Sequence, residues 1–170
     1  MDIKGGIHAL KYHFIKNNIK DMDRPYDFSY WGTEKRRDVG GKKSGDERHT
    51  ILKEIQNGVG RFNTRFIGRF STVKRDMKPT KGMRDLLPIL NKTKYTLCFN
   101  WKDNKATTSR YHEALACGIV PMVWKDYDIT GTLVKSNWQR VESAEELNEK
   151  IKSEDYKSVY ENVHEAYKNE

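Results

Sequence analysis

The feature that most constrains the fold is the alternation of strand-like and helix-like segments along most of the chain. Residues 26–32 (YDFSYWG) and 95–100 (YTLCFN) are rich in aromatic and apolar residues, as strands are, and the second run suits a strand buried on both faces. The segments between such runs have amphipathic helical spacing or helix-end signals. Strands that alternate with helices form parallel sheets covered on both faces. The sequence therefore predicts an α/β fold with a Rossmann-like parallel sheet.

The turn residues and apolar spacing also predict where each element lies. We expect strands at residues 26–32, 65–70, 95–100, 119–124 and 138–141, and helices at 46–57, 83–92, 108–117 and after Ser143 and Glu154. Pro88 should bend or shorten its helix, because proline lacks an amide hydrogen. Gly118 should end the helix at 108–117, and Ser143 begins a capping box, SAEE. The aromatic stripe of the last helix is expected to pack against the core.

The domain organisation follows from the same pattern. Residues 1–24 are expected to form an N-terminal arm or the remnant of an interdomain linker, and residues 25–170 a single domain. The Gly- and Lys-rich segment 33–45 and the basic segment 71–81 are expected to be exposed loops. No apolar run approaches the roughly 18 residues of a membrane-spanning helix.

Charge is distributed unevenly between the two parts of the sequence. Residues 1–94 carry a net charge of +11, and residues 95–170 a net charge of −3. A basic half fits a phosphate-bearing partner such as a nucleotide or a nucleic acid, although a solvated basic surface gives the same pattern. Cys98 and Cys117 lie in apolar contexts without metal-ligand spacing, which indicates small buried hydrophobes in a reducing compartment. We therefore expect a cytoplasmic protein with no metal site.

The most informative window is residues 107–124, TTSRYHEALACGIVPMVW, because ligands of parallel sheets bind at the carboxyl ends of the strands. Thr108 and Ser109 would offer hydroxyl and amide groups at the positive end of a helix dipole, where an anion is favoured. Arg110 opposes that dipole, and a bound phosphate would remove the conflict. Glu113 lies one turn further on and can accept both hydrogen bonds of a ribose diol. An ordinary capped helix with an internal Arg110–Glu113 pair is the alternative.

The run SRYHEALACGIVP resembles the donor-site signature of glycosyltransferases of the B fold, in which a small or hydroxylated residue precedes a Glu-Ala-Leu-Ala-x-Gly-x-Pro pattern. It is similar to the group that includes the CgeB-like proteins and the phage DNA alpha-glucosyltransferases. The ending of that group's pattern is echoed by Glu113, by residues 116–118, by Pro121 and by residues 123–125. The resemblance covers about residues 25–170 and lacks the half of those enzymes that would hold the acceptor.

The resemblance implies a role for each part of the window. Glu113 would bind the ribose hydroxyls of a nucleotide sugar, and Ser109, Arg110 and Thr108 at the helix N-terminus would hold the diphosphate. Basic residues after the first strand would neutralise the leaving pyrophosphate, and the candidates are Lys35, Arg36 and Arg37. Fixed cations and a helix N-terminus can stabilise that charge without a metal or other cofactor. No catalytic residue is assigned.

The sequence departs from the family pattern in three ways. Many members carry another glutamate before this one, with seven residues between the two, and this chain has Lys105 at that place. Phage DNA glucosyltransferases place an acid nearer to the second glutamate, where this chain has Thr108. The acceptor-binding domain of the family has no counterpart in the 25 residues given before the first expected strand.

Three functions therefore remain open. The chain is the donor domain of a glycosyltransferase whose acceptor is held by a separate chain, a basic nucleic-acid-binding protein, or a non-catalytic glycosyltransferase remnant. The nucleic-acid reading uses aromatic residues that can stack on bases: Tyr30, Trp31, Phe62, Phe66 and Phe70. The first two readings merge if the acceptor is DNA. Alone, the chain is expected to bind donor without appreciable transfer.

Overall fold

The computed structural model describes residues 23–33, 46–58, 62–69, 83–100, 108–128, 131, 133–134 and 136–168. Its strands are β1 (Tyr26–Thr33), β2 (Thr64–Arg69), β3 (Thr93–Cys98), β4 (Val120–Trp124) and β5 (Arg140–Val141). Its helices are α1 (Asp46–Gln56), α2 (Met83–Leu90), α3 (Ser109–Ala116), α4 (Ala144–Ser153) and α5 (Tyr156–Lys168). All neighbouring strands pair in parallel, in the order β2-β1-β3-β4-β5. The expected Rossmann-like α/β fold is confirmed.

Several element boundaries differ from the sequence-based expectation, each for a local reason. Strand β3 begins at Thr93, two residues before the apolar run, because Thr93 pairs with Tyr26 of β1. Helix α2 contains Pro88 and ends at Leu90, so it is shorter than expected. Residues Asn137–Gln139 form a 3-10 turn, which confines β5 to two residues. Two expected loops and the expected arm lie outside the described residues: segments 34–45 and 71–81, and residues 1–22 of the arm.

The strand order creates a topological switch point between β1 and β3. From β1 the chain passes to β2 on one side, and the next strand, β3, lies on the opposite side of β1. The connections that leave β1 and β3 therefore lead to opposite sides of the sheet, and parallel sheets generally form their ligand-binding crevice at the carboxyl ends of two such strands. The residues that face this edge are the last ones of β1 and the pair Phe99 and Asn100 after β3.

The core consists of two clusters of buried side chains. One contains Phe28 and Phe66, whose rings lie 6.2 Å apart, together with residues of α1, α4 and α5. The other contains Trp31 and Ile67, together with residues of α2 and α3. Successive side chains of a strand point to opposite faces, so alternate residues of β1 and β2 supply both clusters.

The C-terminal helices also behave as expected from their sequence. Ser143 Oγ accepts a hydrogen bond from the amide of Glu146 at 3.1 Å, and the Glu146 carboxylate accepts one from the amide of Glu142 at 2.7 Å. The cap is confirmed, although the carboxylate reaches one residue further back than in a capping box. Val159 and Val163 of α5 are buried, and Tyr156 and Tyr160 pack partly buried against the same core. The core role of that stripe is thereby confirmed for these four residues, while the side chain of Tyr167 lies outside the described part.

Arg24 is a buried side chain that joins several elements at the amino edge of the sheet. Its guanidinium is 4% exposed and donates hydrogen bonds to the carbonyl oxygens of Leu90 at 3.3 Å, Thr93 at 2.6 Å and Cys117 at 3.1 Å. Two of these carbonyls lie at the C-terminal ends of α2 and α3, where the helix dipole favours a cation. Burial lowers the pKa of Arg24 below its ordinary value. This one side chain ties two helix ends to the start of β3.

Both cysteines are buried and unbridged, as expected. Among the described residues, none of the helices has both the length and the apolar character that crossing a bilayer requires.

Candidate functional site

Helix α3 brings the predicted site residues to the carboxyl edge of the sheet. Tyr111, Ala114, Leu115 and Ala116 are buried, and the small alanine side chains allow the helix to lie close to the strands. On its other side Ser109 is exposed, while Arg110 and Glu113 are half-buried. The expected helix, its stop at Gly118 and the position of its first turn at the carboxyl edge of the sheet are confirmed.

Arg110 is held against the end of β1. Its Nη1 donates to the Tyr30 hydroxyl at 3.2 Å, and its Nη2 donates to the carbonyl oxygen of Trp31. Its Cζ lies 4.2 Å from the centroid of the Tyr30 ring, in the range of a cation–π interaction. The Nε–H group is buried and has no hydrogen-bond partner within the described part of the chain. The guanidinium is thus fixed in place and keeps one donor unused.

Glu113 is held by the same residue of β1. Its Oε2 accepts a hydrogen bond of 3.0 Å from Nε1 of Trp31, whose side chain is 5% exposed. No ion pair joins Arg110 to Glu113 within the described residues, because each group is turned to a different atom of Trp31. The internal Arg110–Glu113 pair of the alternative interpretation is therefore not formed, and the role of α3 in binding a ligand stays a prediction.

The N-terminus of α3 is positioned by a buried tyrosine. The Tyr127 hydroxyl accepts a hydrogen bond from the amide of Thr108 at 3.0 Å and donates one to the carbonyl oxygen of Thr108 at 3.2 Å. Burial raises the pKa of Tyr127, so its hydroxyl stays protonated and keeps both bonds. The Thr108 amide is thereby occupied, whereas Thr108 Oγ1 is buried and has no partner among the described groups. Of the groups expected to bind an anion at this helix end, the amides of Ser109 and Arg110 follow that of Thr108 and are the ones that lack a partner within the helix.

Sequence reasoning missed a second arginine at this edge. Arg48, in the first turn of α1, donates from Nη2 to the carbonyl oxygen of Asn100 at 2.8 Å, and its Cζ lies 5.1 Å from the Phe99 ring centroid. The Phe99 and Tyr30 rings are edge-to-face at 6.2 Å. The two arginines therefore cover a pair of aromatic rings that spans β1 and β3. The available signal was the place of Arg48 in the helix that follows β1, since such helices begin at the carboxyl edge.

The remaining predicted residues divide into two groups. Lys35, Arg36, Arg37 and Lys105 lie outside the described residues. Of the aromatic residues considered for base stacking, Tyr30, Trp31 and Phe66 are buried, Phe62 is partly buried against the core, and Phe70 lies outside the described part. Buried rings have no free face for a base, so their role is in the core. No group of three or more metal-ligating side chains occurs within the described ranges.

No model of a known protein family matches this chain, and no protein of curated function matches it. Solved structures do. The DNA-modifying enzyme β-glucosyltransferase, studied with and without uridine diphosphoglucose, aligns with a TM-score of 0.63 at 16% identity over 85% of this chain and 46% of its own. The T4 phage β-glucosyltransferase bound to UDP-glucose aligns with a TM-score of 0.57 at 15% identity over 85% of this chain and 44% of its own. The T4 phage enzyme bound to UDP and Mn²⁺ aligns with a TM-score of 0.57 at 15% identity, over 92% of this chain and 48% of its own.

These likenesses show the fold: most of the chain shares the Rossmann-like fold of part of these enzymes. The chain spans less than half of the length of each of these enzymes. The glycosyltransferase-like fold expected from the α3 signature is thereby confirmed. The neighbours are β-glucosyltransferases, whereas the sequence run resembles the phage alpha-glucosyltransferases and CgeB-like proteins, and that finer grouping stays a prediction.

Proposed function

We propose that this chain is the nucleotide-sugar-binding domain of a glycosyltransferase. The observation that carries the proposal is that Arg110 and Glu113 are both anchored on Trp31, at the crevice beside the switch point of a glycosyltransferase-like fold. A cation and a carboxylate that do not neutralise each other can serve the diphosphate and the sugar diol of one ligand.

Glu113 is the group that would bind the ribose. An ionised carboxylate has about four acceptor positions, and the indole of Trp31 takes one of them on Oε2. Oε1 and the second position of Oε2 remain for the two hydroxyls of a ribose. The half-buried setting strengthens such hydrogen bonds relative to bulk water.

The diphosphate would lie between the first turn of α3 and the two arginines. The amides of Ser109 and Arg110 are donors that suit phosphate oxygens, and the Arg110 guanidinium adds a positive charge beside them. Arg48 adds a second cation at the same edge, and Lys35, Arg36 and Arg37 follow β1 directly in the sequence. When a nucleoside diphosphate leaves, negative charge develops on it, and fixed cations stabilise that charge.

Metal-free binding is part of this proposal, because the arginines and the helix end supply positive charge themselves. A T4 phage neighbour was solved with UDP and Mn²⁺, so the point needs its own test. We expect the affinity for UDP to change less than about threefold between EDTA and Mn²⁺, in keeping with a site whose charge is already compensated. A strict requirement for Mn²⁺ would contradict this part.

The acceptor would be held outside this domain, on a separate chain or domain, and DNA is one candidate because a neighbour is a DNA-modifying enzyme. Without an oriented acceptor the domain should bind donor and transfer little. The net charge of +11 in residues 1–94 favours a polyanionic acceptor. DNA binding that weakens with salt and persists in Glu113→Ala would indicate a separate nucleic-acid role. Competition between DNA and UDP-glucose would indicate a combined one.

Calorimetric titration with UDP and UDP-glucose tests the donor site. We expect Glu113→Ala and Arg110→Ala each to weaken UDP binding by about tenfold or more, since each removes charge-assisted hydrogen bonds. Glu149→Ala is the matched control, because Glu149 is exposed on α4, and it should bind as the wild type does. Equal binding by the wild type and Glu113→Ala, or no binding by either, would sink the proposal.

A further inference from the structure

Trp31 is bonded through two different atoms to the two charged groups of the site. Its carbonyl oxygen accepts from Arg110, and its indole Nε1 donates to Glu113 Oε2 at 3.0 Å. Resting on the proposed function, we infer that Trp31 is a positioning residue that fixes the Glu113 carboxylate for both hydroxyls of a ribose. The site then selects ribonucleoside over 2′-deoxyribonucleoside diphosphates.

The first step is that an indole is suited to this task. Its N–H is a donor only, so it bonds to a carboxylate without competing for the ligand's hydroxyl protons. Trp31 is itself held by packing in the second core cluster, which includes Ile67 and Ala114, so the donor is fixed. A carboxylate that accepts from a fixed donor loses its freedom to rotate before the ligand arrives.

The second step is that Trp31 keeps the neighbouring cation away from the carboxylate. Residues three apart on a helix are neighbours, so Arg110 and Glu113 would otherwise tend to pair. Such a pair would consume the acceptor positions that a diol needs. Trp31 prevents it by accepting the Arg110 donor on its carbonyl and donating to Glu113 from its side chain.

The third step concerns the ligand. A ribose donates two hydrogen bonds to the fixed carboxylate, whereas a 2′-deoxyribose donates one. The loss of one hydrogen bond to a charged acceptor corresponds to about tenfold or more in affinity. If the carboxylate rotated freely, it could adapt to the remaining hydroxyl and the difference would shrink.

The experiment is the ratio of dissociation constants for 2′-deoxy-UDP and UDP, measured for the wild type and for Trp31→Phe. We expect a ratio of about ten or more in the wild type and a ratio of about three or less in Trp31→Phe, which keeps an aromatic ring and removes the N–H donor. Trp124→Phe is the matched control. Trp124 is also 5% exposed, ends the strand β4 at the same edge, and has an indole N–H without a partner within the described residues. Its ratio should equal that of the wild type.

A ratio near one in the wild type, or an unchanged ratio in Trp31→Phe, would overturn the inference. The two proposals fail differently: if Glu113→Ala binds UDP as the wild type does, the donor site itself is wrong. If Glu113→Ala loses affinity and Trp31→Phe keeps the wild-type ratio, only the role of Trp31 is wrong.

A second measurement covers the case in which Trp31→Phe does not fold. The Trp31 indole N–H resonance of the wild type can be assigned by exclusion with Phe variants of the other three tryptophans. We expect it to move in Glu113→Gln and to respond more strongly to UDP than to 2′-deoxy-UDP. An indole resonance that is insensitive to both changes would equally overturn the inference.

Discussion

Gly32 and Gly68 are direct partners at the carboxyl ends of β1 and β2, and their backbones nearly touch. A Cβ built on Gly68 would overlap the carbonyl oxygen of Gly32 and lie 2.9 Å from its carbonyl carbon. Both residues have φ of +143°, which L-residues with a side chain rarely adopt. A Cβ on Gly32 would lie 2.8 Å from Nη2 of Arg110. The absence of side chains at these two positions thus allows the ends of β1 and β2 to pair closely and leaves the space that the Arg110 guanidinium fills.

We expect Gly68→Ala and Gly32→Ala to fail in different ways. Gly68→Ala collides with rigid backbone and should lower the free energy of unfolding by about 3 kcal/mol or more. Gly32→Ala meets the flexible end of an arginine, so its main effect should be a displaced Arg110 and UDP binding weakened by about tenfold. Urea denaturation and calorimetry measure the two effects. Gly58→Ala has a strained φ of +89° but open space around it, and should cost only about 1 kcal/mol without affecting UDP.

Two buried tyrosines should respond oppositely to the loss of their hydroxyl groups. Tyr127→Phe leaves the Thr108 amide without a partner and its carbonyl oxygen with the Tyr111 amide alone, and we expect a loss of about 1–2 kcal/mol of stability and weaker UDP binding. Tyr95 is also buried, but its hydroxyl has no partner within the described residues. Tyr95→Phe should therefore be neutral or slightly stabilising. Equal destabilisation by both variants would contradict the positioning role of Tyr127.

Two arginines that stack on aromatic rings at opposite edges of the sheet allow the effect of a charge at the candidate site to be distinguished from the effect of net charge. Arg48 lies over Phe99 at the carboxyl edge, and Arg65 lies 4.3 Å over the Tyr26 ring at the other edge. If Arg48 binds the diphosphate, Arg48→Ala should weaken the binding of UDP by about tenfold and the binding of uridine by less than about twofold. Arg65→Ala removes the same charge and a similar stacking contact and should leave both affinities unchanged. Equal losses in the two variants would show that only the overall charge matters.

The order of the elements and the position of α3 at the carboxyl edge of the sheet were predictable because they depend on local patterns. Apolar runs, Gly118 and the Ser143 cap each act within a few residues, so the strands and the helix with Glu113 could be located from sequence. The start of β3 was not predictable in this way. Thr93 is polar, and its burial depends on hydrogen bonding to Ser29 at 2.7 Å, 64 residues away in the chain.

The side-chain arrangement of the site depended on contacts distant in sequence. Helical spacing brings Arg110 next to Glu113, but Trp31, about 80 residues earlier, separates them. Arg48 went unnoticed beside the run of three basic residues at 35–37, because a count of charges does not show which side chain finds an aromatic ring. Tyr127 belongs to no recognisable motif, and only the fold brings its hydroxyl to Thr108.

Arg24 should be a large single contributor to stability at the amino edge of the sheet. Arg24→Met would leave three buried carbonyl groups without this donor, and we expect a loss of about 3 kcal/mol in the free energy of unfolding. Arg24→Lys keeps the charge but not the fork of donors, so it should recover only part of that loss. Chemical denaturation of the three proteins gives the order, and an Arg24→Met protein as stable as the wild type would contradict it.

The buried cysteines predict a loss of stability at alkaline pH. Burial raises the pKa of both thiols from 9.0 to about 12. The Glu113 carboxylate also raises both pKa values, whereas Arg110 lowers the pKa of Cys98 and Arg24 lowers that of Cys117. Above pH 9 the unfolded chain releases these protons while the folded protein retains them. The stabilisation is therefore complete below pH 9 and decreases as the pH rises toward 12, by about 1.4 kcal/mol per pH unit for each thiol.

Urea denaturation between about pH 8 and 10.5 measures this slope, within the range where linkage to the thiols applies. Cys98→Ala and Cys117→Ala each remove one thiol, so each should flatten the slope by about 1 kcal/mol per pH unit, whatever constant amount the substitution itself costs. Burial also raises the pKa of Tyr95, Tyr127 and Tyr156, so part of the alkaline slope should persist in both variants. Slopes identical to that of the wild type in both variants would mean that the thiols ionise as readily in the folded protein as in the unfolded chain.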